Sequence, residues 1–536
     1  MAPLTVVDAL LDALVRRGVR RIFGIPGGGS SLDVIEAAAR CGVDFVLTRT
    51  ETSGAMMAAA TAEITGAPGV VITGLGPGAA AATNGIAYAT LDRAPVVIIT
   101  DSFDRETDAY VSHQAIDHAA LFRAVVKGSM TLETGASPHD IGALIDKAIA
   151  HPFGAVHFDL SSRQAGSPAR SEPPEDRSAP ANAPEAATIA AARTLLAQAT
   201  KPAIIAGVQA RESPRALRDL AHELGCPVFT TYKAKGAIAD SDPLAVGLTT
   251  GGIAEAECLS QADLIILYGF DPIELIPQPW RYQAPILEIG RVAGLPHYRA
   301  PMLSMIGALD ASAAALRGAN RSSGWTEDEI AGLKARMRDR LAINTGNSGG
   351  GVAPPVLVSA AKRHAPRGTR ATVDAGAHMF SAMAFWDAEE SGGVLISDGL
   401  STMGYALPAA IASAIEEPER PVVCFTGDGG LLMSIAELAT AVENKCRIVV
   451  LVFNDAALSL IDIKQQKRKM PTRGVRYPTV DFATIARGFG CQAWRVEDAK
   501  ALDAALASAF RAEGPAIIDV AVDPSLYARQ IEVLRG

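Results

Sequence analysis

Along the chain, short and fully apolar runs alternate with longer stretches whose apolar positions recur every three or four residues. The runs suit buried parallel strands and the stretches suit helices. Val6 to Val15 reads as a helix, and Val19 to Gly24 leads through a strand into a Pro26-Gly27-Gly28-Gly29 turn. Asp33 to Arg40 is a second helix, Asp44 to Thr48 a strand that delivers Glu51 at its end, and Gly54 to Ile64 a helix of small residues. Strand Val70 to Thr73 runs into the turn Gly76-Pro77-Gly78, and Val96 to Thr100 is a further strand. Such alternation predicts a doubly wound α/β domain.

The pattern lapses twice. Residues 163–187, rich in Pro, Ala and charge, read as a linker, and residues 319–352 hold a charged helix and then a Gly/Ser-rich stretch. Between them lies a second α/β block with strands at Ala203–Ala206, Val228–Thr230, Leu264–Leu267 and Ile286–Glu288. A third block starts at Pro354. The expectation is α/β throughout: three doubly wound parallel-sheet domains spanning 1–165, 188–318 and 354–536.

The third block contains the most informative stretch, residues 421–455. An apolar run from Val422 to Phe425 precedes Gly427-Asp428-Gly429-Gly430, Leu431 to Val442 reads as a helix, and Arg447 to Phe453 is a second strand that ends at Asn454-Asp455. In a parallel sheet both strand ends lie on one edge, where ligands bind. Oxygen ligands there, beside N–H groups at a helix start, suit a divalent cation bridged to a phosphate. An ordinary crossover with a Gly-rich turn is the competing reading of the tripeptide alone.

Composition narrows the classes. With 49% apolar and 20% charged residues and a net charge of −9, the chain reads as a soluble globular protein without general attraction for nucleic acid or an anionic membrane. Its six cysteines show no CxxC pair and read as buried free thiols in a reducing compartment. The amphipathic N-terminus lacks a signal-peptide core, and no apolar run reaches the ~20 residues of a membrane span. A cytoplasmic protein is expected.

Asp428 and Asp455 stand 27 residues apart, with Asn454 before the second. This arrangement resembles the signature of thiamine-diphosphate enzymes, which runs from Gly-Asp-Gly through a helix to Asn-Asn. The resemblance implies Mg²⁺ held by Asp428, Asp455 and the carbonyl of Ala457, with Gly427, Gly429 and Gly430 at the cofactor. Asp455 departs from the family's Asn and adds negative charge beside a diphosphate. In the acetolactate-synthase-like branch, the catalytic Glu precedes a Gly-Pro-Gly turn by 25 residues, the interval between Glu51 and Gly76 here. The resemblance therefore implies that Glu51 hydrogen-bonds the cofactor's N1′ nitrogen and, when buried, exchanges a proton there. A helix-capping carboxylate is the alternative.

Further segments resemble the family's. Around Gln114 lies a segment that contributes a pocket Gln, with His113 and His118 beside it; all three also fit a solvated helix. Val373 to His378 resembles the turn that touches the diphosphate, placing Ala377 and His378 at that anion, unless His378 merely starts a helix. In 397–410 the resemblance makes Met403 the wedge that bends the cofactor and the Ser401 carbonyl the acceptor for its amino group, although a Met is usually core. Lys464 occupies the place of a Trp that shapes the acceptor pocket. It reads either as part of a solvated charged helix or as the partner of an extra anionic group on the substrate. Pocket residues that serve some decarboxylases fall on Gly74 and Gly28, and a flavin-contacting Arg is matched by Asp271, which speaks against bound FAD. Lys233 and Lys235 leave a nucleotide in the middle domain open.

The resemblance thus implies pyrimidine-binding, central Rossmann-like and diphosphate-binding domains in a thiamine-diphosphate- and Mg²⁺-dependent enzyme. Decarboxylation of a 2-oxo acid with carboligation to a carbonyl acceptor is expected, in a homodimer or homotetramer with sites between subunits. A 2-hydroxyacyl-CoA lyase is the alternative, against which counts the short stretch after the last predicted strand (Ala516–Val522), too short for a closing lid. A non-catalytic nucleotide-binding or regulatory protein is the alternative of another class.

Overall fold

Three parallel sheets of six strands each carry the chain. In the computed structural model the described residues are 4–172, 183–275, 279–293, 299–319, 323–341 and 350–535. In the first sheet, β1 (Arg21–Gly24), β2 (Asp44–Leu47), β3 (Gly69–Thr73), β4 (Val96–Asp101), β5 (Ser129–Leu132) and β6 (Ala155–Leu160) lie in the order β2-β1-β3-β4-β6-β5. In the second, β7 (Pro202–Ala206), β8 (Val228–Thr230), β9 (Ala245–Leu248), β10 (Leu264–Tyr268), β11 (Ile286–Gly290) and β12 (Leu303–Ile306) lie in the order β12-β11-β10-β7-β8-β9. In the third, β13 (Arg370–Val373), β14 (Val394–Ile396), β15 (Val422–Gly427), β16 (Ile448–Asn454), β17 (Gln492–Val496) and β18 (Ala516–Ala521) lie in the order β14-β13-β15-β16-β18-β17. Helices interleave with the strands, so both faces are covered, and a central strand such as β16 is buried at every residue.

Each sheet reverses its winding at a central strand pair: between β1 and β3, between β7 and β10, and between β13 and β15. Loops at the carboxyl ends of such strand pairs diverge and leave a crevice. All three crevices matter below.

The first and third domains meet along a seam of small residues. Ala55, Ala58 and Ala59 of the Glu51–Thr65 helix and Ala406, Ala409 and Ala410 of the Ala406–Glu416 helix belong to one buried cluster, and the two helices pack on each other. Arg21 pairs with Glu416 at 2.7 Å across this seam. A carboxylate oxygen of Glu437 accepts the backbone N–H groups of Arg49 and Thr50 at 2.9 and 3.0 Å, which fixes the strand-to-helix joint just before Glu51.

Several expectations need correction. The helix expected over Leu431 to Val442 starts earlier, at Asp428, and is broken into Asp428–Ser434, a 3₁₀ turn Ile435–Glu437, and Leu438–Glu443. The flanks of the 163–187 stretch are ordered: Ser162–Ala165 and Ala186–Gln198 are helical, and the Val6 N–H donates to the Ser167 carbonyl at 2.9 Å. Residues 173–182 lie outside the described residues. Cys41 is exposed, unlike the other five cysteines. Strands β5 and β17 escaped notice because they are edge strands with mixed polarity, and β6 because His157 and Asp159 interrupt its apolar run. No helix among the described residues is long and apolar enough to cross a membrane.

Candidate active site

At the β13/β15 crevice the structure gathers most of the third-domain residues singled out above. Ala377, His378, Ser401, Met403, Gly427, Asp428, Gly429, Gly430, Asp455, Ala457 and Lys464 all line one cavity of about 280 Å³. Its floor is tied together by Asp374, a buried residue the sequence reading passed over. One Asp374 oxygen accepts the N–H groups of Ala375 at 2.9 Å, Gly404 at 2.9 Å and Tyr405 at 3.3 Å, and the other accepts the Thr426 hydroxyl at 3.0 Å. A Cβ at Gly430 would lie 2.4 Å from that second oxygen, so a side chain there is excluded. Three loops are thereby held in one place.

Asp428 accepts from the Gly429 N–H at 2.7 Å, the Tyr477 hydroxyl at 2.9 Å and the Ala456 N–H at 2.7 Å. Asp455 accepts from the Ser459 hydroxyl. Burial raises the Asp428 carboxyl above its ordinary range. Burial, with the Asp428 charge adding to it, pushes Asp455 up to about 6. Two neighbouring buried carboxylates that repel each other in this way are under-neutralised, and a divalent ion would supply the balancing charge. At the start of the His378–Phe385 helix, burial lowers His378 to about 3, so the ring is neutral, and its Nε2 is buried without a partner among the described residues. Acids short of a cation and a ring nitrogen short of a partner make this donor set fit a metal–diphosphate group.

Three contributors were not legible locally. Tyr477 reaches Asp428 from beyond the Ser459–Lys467 helix. Tyr527 and Arg535, on the Tyr527–Arg535 helix after β18, enter the cavity wall. That helix corrects the expectation that nothing after the last strand could cover the site. It is fastened to the middle domain, where the Ile253 and Ala254 N–H groups donate to the Val533 carbonyl at 3.0 and 3.2 Å.

The first-domain residues lie elsewhere. Glu51 is absent from the cavity lining. It opens the Glu51–Thr65 helix after the Thr50 cap, and a Cβ at Gly78 would sit 3.2 Å from its carboxylate, so Glu51 and the Gly76-Pro77-Gly78 turn do meet. It is only partly buried in one chain, against the expected burial. Gly28 is open, with nothing within 4 Å of the point a Cβ would occupy, and His113 is exposed. Gln114 holds a left-handed φ of 58°, and its carbonyl accepts the Gly76 N–H at 3.2 Å. It lines a separate cavity of about 490 Å³ with Leu75, His118 and Asp159. His118 is not the solvated helix residue that its sequence allowed. Its Nδ1 lies 2.8 Å from Asp159, which also takes the Thr100 hydroxyl at 2.5 Å, while Thr100 contacts His157 Nε2 at 2.8 Å. Burial alone would raise Asp159, but hydrogen bonds from His118 and His157 hold it well below the usual carboxylate range.

At the middle-domain crevice the charged side chains named from the sequence pair with protein groups. Asp271 makes a two-pronged pair with Arg93 at 2.6 and 3.2 Å. Glu274 accepts from the Val208 N–H at 2.8 Å and the Thr231 hydroxyl at 2.5 Å, and burial pushes it up to about 8. Lys233 is spent on Glu63 at 2.8 Å and Asp92 at 3.5 Å, and Lys235 on Asp240 at 2.6 Å. A larger cavity of about 410 Å³ opens there, at the junction of the three domains, lined by Asp271 and by other charges that already pair, such as Arg93, Arg211 and Glu63.

The three sheets correspond to three matched family profiles. Residues 4–121 match the N-terminal TPP binding domain of thiamine pyrophosphate enzymes, 189–314 the central domain, and 374–520 the C-terminal TPP binding domain. The chain belongs to the thiamine pyrophosphate enzyme family. Within it the chain is an acetolactate-synthase-like enzyme, dependent on thiamine diphosphate, of the carboligase/decarboxylase kind. It is 29% identical to an acetolactate synthase of Bacillus subtilis over 533 residues, covering 97% of this chain and 93% of the relative. A catabolic acetolactate synthase of Raoultella terrigena is 28% identical (96% and 94%), and a pyruvate oxidase of Lactiplantibacillus plantarum 29% (96% and 88%).

Proposed function

We propose that this enzyme decarboxylates a 2-oxo acid and joins the remaining acyl unit to a second carbonyl, using thiamine diphosphate and Mg²⁺ and no FAD. The observation that carries the reading is the cavity in which two under-neutralised carboxylates face a helix start and an unpartnered His378 nitrogen. Asp428, Asp455 and the Ala457 carbonyl would hold the metal; Ala377, His378 and the helix start at Gly427 to Gly430 would receive the diphosphate. Met403 would support the bent cofactor and the Ser401 carbonyl its amino group. When bound, the cofactor supplies an electron sink beside the substrate carbonyl. Glu51 holds and returns a proton at the pyrimidine, and Gln114 orients a substrate oxygen. Asp271, which stands where the resemblance places a flavin-contacting Arg, is engaged by Arg93, which supports the reading without FAD.

Because Glu51 does not line the cavity in one chain, this reading builds the working site from the first domain of one subunit and the third domain of another, in a homodimer or homotetramer. Exposed apolar residues support this: Leu32 and Ile116 beside the first-domain loops, and Leu432, Met433 and Ile461 beside the cavity. A 2-hydroxyacyl-CoA lyase is the second reading, favoured by the Tyr527–Arg535 helix at the cavity wall.

CO₂ release from a panel of 2-oxo acids, with thiamine diphosphate or Mg²⁺ withheld in turn and products analysed for new C–C bonds, tests the proposal. Release that needs both, with a ligated product, is expected. No release from any acid, despite cofactor binding, would overturn it in favour of the lyase.

A further inference from the structure

Two cations enter the wall of the cofactor cavity, and neither has a carboxylate within ion-pairing distance among the described residues. Lys464 stands on the Ser459–Lys467 helix, and Arg535 lies on the Tyr527–Arg535 helix that packs against it. Arg535 is half-buried and Lys464 is exposed to solvent. The Arg535 guanidinium lies 5.0 Å from the Phe380 ring, and its Nε is buried without a partner. Lys464 follows Leu458, Leu460 and Ile461 along the same wall.

The charges that the cofactor would engage lie at the other end of that helix. Asp455 precedes it, and Leu458 sits over Gly429, where a Cβ would lie only 2.8 Å from the leucine side chain. Six residues of helix carry Lys464 roughly 9 Å farther along. The Arg535 charge acts on Asp398 and on the Tyr232 hydroxyl, although burial and the Asp92 charge still push Asp398 up to about 7. Of the other basic residues in this region, Arg476 pairs with Asp462 at 2.7 Å, and Lys467, Arg468 and Lys469 do not line the cavity. Two cations on one cavity wall, neither in an ion pair among the described residues, favour an anionic ligand at that end of the cavity. A lysine offers a point charge, and an arginine offers a fork matched to two oxygens.

We infer that the donor is a 2-oxo acid bearing a second anionic group, a carboxylate or phosphonate, held between Lys464 and Arg535. This rests on the reading of the cavity as the thiamine diphosphate site. The bond between the carboxylate carbon and C2 breaks and CO₂ leaves, while the second anionic group stays on the retained fragment.

The test compares kcat/KM for pyruvate, 2-oxoglutarate and 3-phosphonopyruvate in the wild type, Lys464→Met and Arg535→Met, alongside calorimetric titration of thiamine diphosphate with Mg²⁺. The wild type should prefer one dianionic acid over pyruvate by about tenfold or more, and each variant should lower that preference by a similar factor. Which dianion wins separates carboxylate from phosphonate recognition. Cofactor-dependent turnover with pyruvate preferred would overturn the inference and leave the cofactor reading standing. So would an unchanged preference in both variants. A loss of cofactor affinity in step with activity would also overturn it, by assigning the cations to the diphosphate. Absence of cofactor binding would overturn the cofactor reading itself.

Discussion

Glu274 provides a measure of what a buried carboxyl costs in the middle domain. Its carboxyl is pushed from an ordinary 4.5 to about 8 by burial, despite hydrogen bonds from Thr231 and Val208. A carboxyl whose folded value is raised favours the fold while protonated and opposes it once the unfolded chain can ionise. The penalty is absent below about pH 4.5 and grows until about pH 8. At about 1.4 kcal/mol per unit it amounts to about 0.7 kcal/mol at pH 5 and about 4 kcal/mol at pH 8. Glu274→Gln removes the ionisation and leaves one amide N–H without a partner, which costs about 1–2 kcal/mol. The variant should therefore be slightly less stable than the wild type at pH 5 and more stable by about 2–3 kcal/mol at pH 8. Urea unfolding at both pH values reads this, followed by the fluorescence of Trp280 and Trp325, both partners of this domain's buried cluster. Stability differences that stay constant between the two pH values would refute the reasoning.

Glu51→Gln should lower kcat by roughly 10²–10⁴-fold while leaving the thermal midpoint within a degree or so; near-wild-type turnover would remove Glu51 from the chemistry. Asp428→Ala should weaken Mg²⁺-dependent cofactor binding at least about tenfold in equilibrium dialysis, because it removes a charged ligand and the anchor of Tyr477 and Ala456. Arg93→Met strands the buried Asp271 carboxylate and should cost about 3–5 kcal/mol in unfolding free energy, much of it recovered when Asp271→Asn is added. Equal stability of the single and double variants would sink that account.

What could be read from the sequence was what short spans determine. The Gly427 to Gly430 turn, Asp428 and Asp455 lie within one strand–helix–strand unit, so their spacing alone placed them at one sheet edge, and the cavity does gather them. Arg535, Tyr527 and Tyr477 come to the same cavity from other elements, and no local period announces such contacts. Polarity misled in the opposite direction. His157 and Asp159 made a central strand look irregular, and His118 passed for a surface residue, because the hydrogen bonds that let all three be buried connect residues some 40 to 60 positions apart. The burial expected of Glu51 is not met in one chain, and the proposed two-subunit site would supply it from a second copy.

That division has a genetic consequence. If the site is shared between subunits as proposed, the small-residue seam between the Glu51–Thr65 and Ala406–Glu416 helices keeps Glu51 and the cavity of one chain in two different sites. A chain disabled at Glu51 and a chain disabled at Asp428 would each be inactive alone. Co-assembled, they would place both lesions in one site of a dimer and leave the other site intact. Mixing two dead variants should then restore up to half of the activity per mixed dimer, whereas two lesions in the same half-site should never complement.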